Sequence, residues 1–196
     1  MKKILIIDNY DSFTYTIAQY LQFLHSDVKV IKHDERISEI IEEWKPDKLV
    51  ISPGPKNPAN AGYCMETVEN YKTKLPILGI CLGMQIINEV FGGKTKQYKS
   101  PKHGKTSKIT HNAKDIFKNI PTPFLAARYH SLMTDNIKDC IEITATAEED
   151  GIPMGIRHRK YPIFGLQFHP ESFLTQYGYE LLNNFLNISY NKKIGL

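Results

Sequence analysis

Apolar positions along this chain follow two different rhythms. In the first half, short apolar runs alternate with stretches in which apolar residues recur every three or four positions. KILIID (3–8) is nearly all apolar, the pattern of a strand buried on both faces of a parallel sheet, and DVKVIKH (27–33), DKLVIS (47–52) and LPILGI (75–80) read as further strands. Between them, Phe13, Ile17, Leu21 and Leu24 recur at helical spacing and predict a helix over 13–24, with Asp11 or Ser12 placed to cap it. ISEIIEEW (37–44), residues 62–73 and GMQIINEVFGG (83–93) predict three more helices, the last terminated by its glycine pair.

Strand and helix in strict alternation imply a parallel sheet with right-handed crossovers and helices on both faces. From about residue 105 the rhythm changes. KTSKITH, PFLAARYH, IEITATAEE, MGIRHR and IFGLQFH are short alternating runs separated by turns, which predict mostly antiparallel strands before a last helix over 178–188. The expected fold is α/β: an open, mostly parallel twisted sheet with helices on both faces plus an antiparallel strand extension. Neither linker nor repeat interrupts it, so residues 1–196 are expected to form a single domain.

Composition narrows the function classes. A chain of 196 residues, 41% hydrophobic and 23% charged, is neither disordered nor fibrous. The formal net charge of +4 is mild, and lysines cluster only around 94–108, with Tyr98 as the single interleaved aromatic. That run reads as a solvated loop or strand edge, or as contact with an acidic partner surface; without arginines and stacking aromatics it does not predict nucleic-acid binding. Cys64, Cys81 and Cys140 are odd in number and lack paired short spacings, which argues against disulfides and structural zinc; no metal is expected. The N-terminal run ILII stops at Asp8, too short for a signal peptide, and no run approaches the ~18 apolar residues of a membrane span. A soluble, cytoplasmic protein without membrane contact is expected.

In open α/β sheets, sites lie beyond the carboxyl ends of the strands. Three segments fall there: Asp8 to Asp11, Ser52 to Pro55, and Cys81. A strand running into Cys81 with a helix starting at Leu82 or Gly83 is a nucleophile-elbow arrangement, with Gly79 and Gly83 relieving the crowding of the tight turn. Helix-N-terminal amides and the helix dipole make such a sulfur reactive. The Leu82 N–H and that of Gly54, in the stiff loop SPGP, can serve as two donors of an oxyanion hole. Taken alone, Cys81 reads as core filler and SPGP as a plain turn; a base decides between these readings. Among seven histidines, His169 closes an apolar strand with Glu171 two residues on, so the carboxylate can hold one imidazole nitrogen while the other faces the sulfur.

GICLGMQ (79–85), QFHPES (167–172), SPGP (52–55) and RYHSL (128–132), in this order and at these separations, resemble the class I (triad) glutamine amidotransferases over essentially the whole chain. DNYDSFT (8–14), HGKTS (103–107) and GIRHR (155–159) narrow the resemblance to the small glutaminase subunits of anthranilate synthase and aminodeoxychorismate synthase, with HGKTSKITHN and GIRHR more similar to the aminodeoxychorismate branch. The resemblance implies a flavodoxin-like fold, hydrolysis of L-glutamine to glutamate and ammonia, and Cys81, His169 and Glu171 as the catalytic triad. It also implies Gly54, Pro55, Gln85, Ser131 and Leu132 as glutamine-binding residues, no cofactor, and a chorismate-using synthase subunit that receives the ammonia.

Two residues depart from the family pattern. Met84 stands where histidine is usual, which predicts changed contacts at the pocket edge or with the partner, and Lys56 follows SPGP where glycine is common. Two further readings keep the fold but change the activity: a catalytically silent regulatory or binding subunit, and a stand-alone cysteine hydrolase of γ-glutamyl or peptide substrates.

Overall fold

The structure is a computed structural model and describes residues 1–189. Its strands are β1 (Lys2–Asp8), β2 (Ser26–Lys32), β3 (Lys48–Ile51), β4 (Ile77–Ile80), β5 (Lys94–Gln97), β6 (Lys105–His111), β7 (Phe124–Arg128), β8 (Leu132–Asp135), β9 (Ile141–Ala147), β10 (Pro153–His158) and β11 (Ile163–Leu166). The helices are α1 (Thr14–Phe23), α2 (Ile37–Trp44), α3 (Cys64–Tyr71), α4 (Leu82–Val90) and α5 (Gly178–Asn187). Nine strands form one sheet in the order β2-β1-β3-β4-β11-β10-β9-β6-β7. The first five of these run parallel and the last four continue antiparallel.

The continuous apolarity of β1 has a direct cause in this arrangement. Ile4 and Ile6 enter one core cluster with Ile17 and Leu21 of α1 and Leu182 and Phe185 of α5. Leu5 and Ile7 enter the opposite cluster with Ile41 of α2, Val68 of α3 and Ile87 of α4. Side chains alternate along a strand, so a strand covered by helices on both sides is apolar at every position. Each such buried aliphatic side chain contributes about 1.5–3 kcal/mol of transfer free energy.

Three details differ from the sequence-based expectations. First, α1 has no side-chain cap; Asp11 Oδ1 accepts the Phe13 N–H at 2.8 Å, while buried Asp8 accepts from the Asp11 N–H and the Thr14 hydroxyl and pairs with Lys32. Second, β11 returns to the middle of the sheet and pairs parallel with β4, so the C-terminal strand belongs to the site-bearing half. Third, β5 and β8 form a separate antiparallel ribbon. The sequence KTKQ of β5 has no apolar alternation because its side chains are exposed or half-buried, which leaves periodicity nothing to register.

Candidate active site

Parallel strands that end together bring their following residues together. The β4–β11 register pairs Gly79 with Gly165 and Ile80 with Leu166, and the next step sets Cys81 beside Gln167; the Cys81 N–H donates to the Leu166 carbonyl at 2.7 Å. Cys81 lies between β4 and α4 with φ 53° and ψ −101°, a conformation that a residue bearing a Cβ adopts only under strain. Its carbonyl accepts the first helical N–H groups, from Met84 and Gln85. The elbow is packed so closely that a Cβ on Gly79 would sit 2.3 Å from the Gly83 backbone.

The strand end carries on to His169, whose Nδ1 lies 2.7 Å from Glu171 Oε1. Both side chains are almost fully buried. The rings of Phe13 and Tyr129 meet the imidazole in T-shaped contacts, with ring centroids 5.6 and 5.1 Å away, and restrict its tilt. Burial disfavours the imidazolium, but the Glu171 carboxylate and the facing Cys81 sulfur outweigh it and hold the His169 pKa well above the usual histidine value. Nε2, the ring nitrogen that Glu171 does not hold, is buried and makes no hydrogen bond of normal geometry among the described residues, while Cys81 is the other neighbour that favours the charged ring. The nearby Asp11 carboxyl is pushed up by burial.

The third strand end completes the site. Asn9, following β1, donates through its side chain to the Ser52 carbonyl at 3.0 Å and through its backbone N–H to the Ser52 hydroxyl oxygen at 2.9 Å, which clasps the loop after β3 to the turn after β1. Gly54 is then so close to that turn that a Cβ would lie 2.5 Å from Asn9 Cβ and 2.8 Å from Leu82 Cδ2. No backbone carbonyl among the described residues accepts the N–H of Gly54 or of Leu82.

Cys81, Leu82, Gly54 and Pro55 line one cleft of about 200 Å³. Gln85, Ser131 and Leu132 line it as well, so every residue singled out as an oxyanion or glutamine contact lines the cleft that Cys81 lines. Gln85 Nε2 donates to the Leu132 carbonyl at 3.3 Å, and the Ser131 carbonyl accepts the Tyr98 N–H. The lysine run beside the cleft is mostly exposed, whereas Tyr98 is buried and donates its hydroxyl to Asp150 at 2.7 Å. Cys64, by contrast, is inert core: burial pushes its thiol up to about 12. Among the described residues no cluster of three His, Cys, Asp or Glu side chains is arranged to hold a metal ion, and no helix is long and apolar enough to cross a membrane.

The family described as glutamine amidotransferase class-I matches residues 5–188. The chain belongs to this family. The amidotransferase is 47% identical over 189 residues to anthranilate synthase component 2 of Pseudomonas putida, covering 93% of this chain and 96% of the relative. It is 46% identical to aminodeoxychorismate synthase component 2 of Escherichia coli (94% and 99% covered) and 46% identical to aminodeoxychorismate/anthranilate synthase component 2 of Bacillus subtilis (97% and 98%). Among solved structures, a Thermoplasma acidophilum protein described as a putative GMP synthase subunit superposes with a TM-score of 0.85 at 31% identity, covering 95% of this chain and 92% of that one.

Two departures of this amidotransferase acquire a physical explanation. Met84 is fully buried on the core side of α4, and a Cβ on Gly165 of β11 would come 2.8 Å from its Cγ. The expected change at the pocket edge is therefore corrected: position 84 points into the core beneath α4, because the helix turn from Cys81 sends it toward β11. Lys56 has φ 67°, in the left-handed region, which explains why glycine suits that position; the residue also lines the cleft. Sequence reasoning missed Gln167, which donates to Cys81 Sγ at 3.5 Å, together with His103 and Tyr129 in the cleft lining. Gln167 was findable as the residue two before His169 on a strand predicted to end beside the elbow.

Proposed function

We propose that this amidotransferase is the glutaminase subunit of a chorismate-using synthase, hydrolysing L-glutamine to glutamate and ammonia through a thioester on Cys81. The observation that carries the proposal is one sulfur at a strained elbow, open to a small cleft and faced by an imidazole that a carboxylate holds.

In this reading Cys81 attacks the carboxamide carbon, and the Gly54 and Leu82 N–H groups receive the negative charge that develops on oxygen. His169, favoured as imidazolium by Glu171 and by the sulfur's charge, delivers its Nε2 proton to the departing nitrogen, and ammonia leaves. Thioester formation removes the sulfur's charge, so His169 loses one of the two neighbours that favoured its protonated form. It then takes a proton from the attacking water, glutamate departs, and the thiolate returns. The same imidazole is thus acid and then base because its neighbour's charge changes in between.

Ammonia that meets bulk water is protonated and loses its nucleophilicity, so the cleft must open toward an acceptor. The named relatives are second components of synthases and cover both branches at nearly the same identity, 47% and 46%, which supports a first-component partner of the anthranilate or aminodeoxychorismate type. Glutamate release is measured with and without that partner, for the unaltered chain and for Cys81→Ala. Partner-stimulated release that Cys81→Ala abolishes supports the proposal. Equal release by both proteins supports a silent scaffold, and release independent of partner and chorismate supports a stand-alone hydrolase.

A further inference from the structure

Gln167 is fully buried, and its amide direction is fixed through Gln85 by the Leu132 carbonyl, which can only accept; that carbonyl also ends a path of bonds from a buried arginine. Arg128 is wholly buried and has donors only. Its Nη1 donates to Asp150 Oδ2 at 2.8 Å and to Ser107 Oγ at 3.0 Å, which compensates its charge. Its Nε donates to His130 Nε2 at 3.0 Å, so that nitrogen accepts and the ring proton resides on Nδ1. Nδ1 donates to the Leu132 carbonyl at 2.8 Å.

Gln85 also reaches that carbonyl, and only its nitrogen can donate there, so its amide orientation is fixed. The same nitrogen lies 3.2 Å from Gln167 Oε1, which must accept. The remaining end of the second amide is therefore nitrogen, and it lies 3.5 Å from Cys81 Sγ. Every bond in the path has one permitted direction, and the path ends with an N–H aimed at sulfur.

We propose that Gln167 is a further catalytic residue, whose side-chain N–H stabilises the Cys81 sulfur as the attacking thiolate and fixes its position at the elbow. A hydrogen bond to a charged acceptor is stronger than one to a neutral acceptor, so the contact favours the thiolate over the thiol. It is separate in place and role from the two backbone donors, which serve the substrate oxygen. Gln85 then acts twice, lining the cleft and keeping the Gln167 nitrogen pointed at the sulfur.

The proposal rests on the reading of Cys81 as nucleophile, and alkylation of the sulfur reports the contact without requiring glutamine turnover, so the two readings fail separately. The rate of iodoacetamide modification of the Cys81 peptide is followed by mass spectrometry against pH for the unaltered chain and for Gln167→Met, which keeps the volume and removes the donor. The midpoint is expected to rise by about one pH unit, with roughly tenfold slower modification below it. An unmoved midpoint in a folded Gln167→Met overturns the proposal. Where that variant does not fold, the side-chain amide signal of Gln167 in the nitrogen–proton spectrum of the unaltered chain is followed through the same titration. A shift that is absent in Cys81→Ala supports the contact, and a signal that never responds to the sulfur overturns it.

Discussion

Replacing Cys81 by glycine is expected to make the protein more stable than replacing it by alanine. At an ordinary backbone position glycine is the worse of the two by about 0.5–1 kcal/mol, because it gains more freedom on unfolding. Position 81 has φ 53° and ψ −101°, so alanine retains the strain of a Cβ in a sparsely populated region, about 1–3 kcal/mol, and glycine does not. The two terms leave glycine ahead by roughly 1 kcal/mol, within a range of about 0 to 2.5. Both variants lose the sulfur and its interaction with His169, so these effects cancel in the comparison. In urea unfolding, with a slope of about 2 kcal/mol per molar, the glycine midpoint is expected about 0.5 M above the alanine midpoint. A glycine variant that unfolds at lower urea than the alanine variant would refute the strained elbow, and with it the physical reason why the sulfur stands at the cleft instead of in the core.

Three further outcomes follow from the site. Gly54→Ala forces a Cβ to within 2.5 Å of Asn9 Cβ, so the loop must withdraw; kcat for glutamate release is expected to fall about a hundredfold with the fold retained, and an unchanged kcat contradicts the loop's role as donor. Glu171→Gln removes the largest influence raising the His169 pKa, so the alkaline limb of the pH–rate profile is expected at lower pH than in the unaltered enzyme; a limb that stays in place contradicts the assignment of His169 as the acid. Burial first, and the adjacent Arg128 guanidinium second, lower His130 to about 4, so the folded protein holds it neutral while the unfolded chain protonates near 6.5. Its stabilising contribution is complete above pH 6.5 and is lost as pH falls toward 4, about 2 kcal/mol by pH 5; urea unfolding at pH 7 and 5 should show this loss, reduced in His130→Asn.

Much of the fold could be read before the structure, and for definite reasons. The run KILIID announced a two-sided strand because Ile4 and Ile6 pack on one side of the sheet and Leu5 and Ile7 on the other. ISEIIEEW and KTSKITH coincide with α2 and β6 residue for residue, because each is amphipathic across a boundary between core and solvent. The β5–β8 ribbon escaped because both strands are only four residues long and β5 is mostly exposed, which leaves too few core-facing positions to imprint an alternation. At the site, Cys81, His169 and Glu171 were legible from strand ends and turn chemistry. The Leu132–Gln85–Gln167–Cys81 path was not, since its bonds link residues up to 86 positions apart and depend on donor direction, which no local pattern encodes. Met84 was misjudged for a related reason: Leu82 and Gln85 on either side of it line the cleft, but one helical step turns it into the core.

Opening of glutamine by the sulfur at position 81 is the step on which the rest depends. Quenching the complex in acid during turnover and mapping its peptides by mass spectrometry tests this directly. A γ-glutamyl adduct is expected on the Cys81 peptide, disappearing when glutamine is exhausted. Steady glutamate release without such an adduct, persisting in Cys81→Ala, would contradict it.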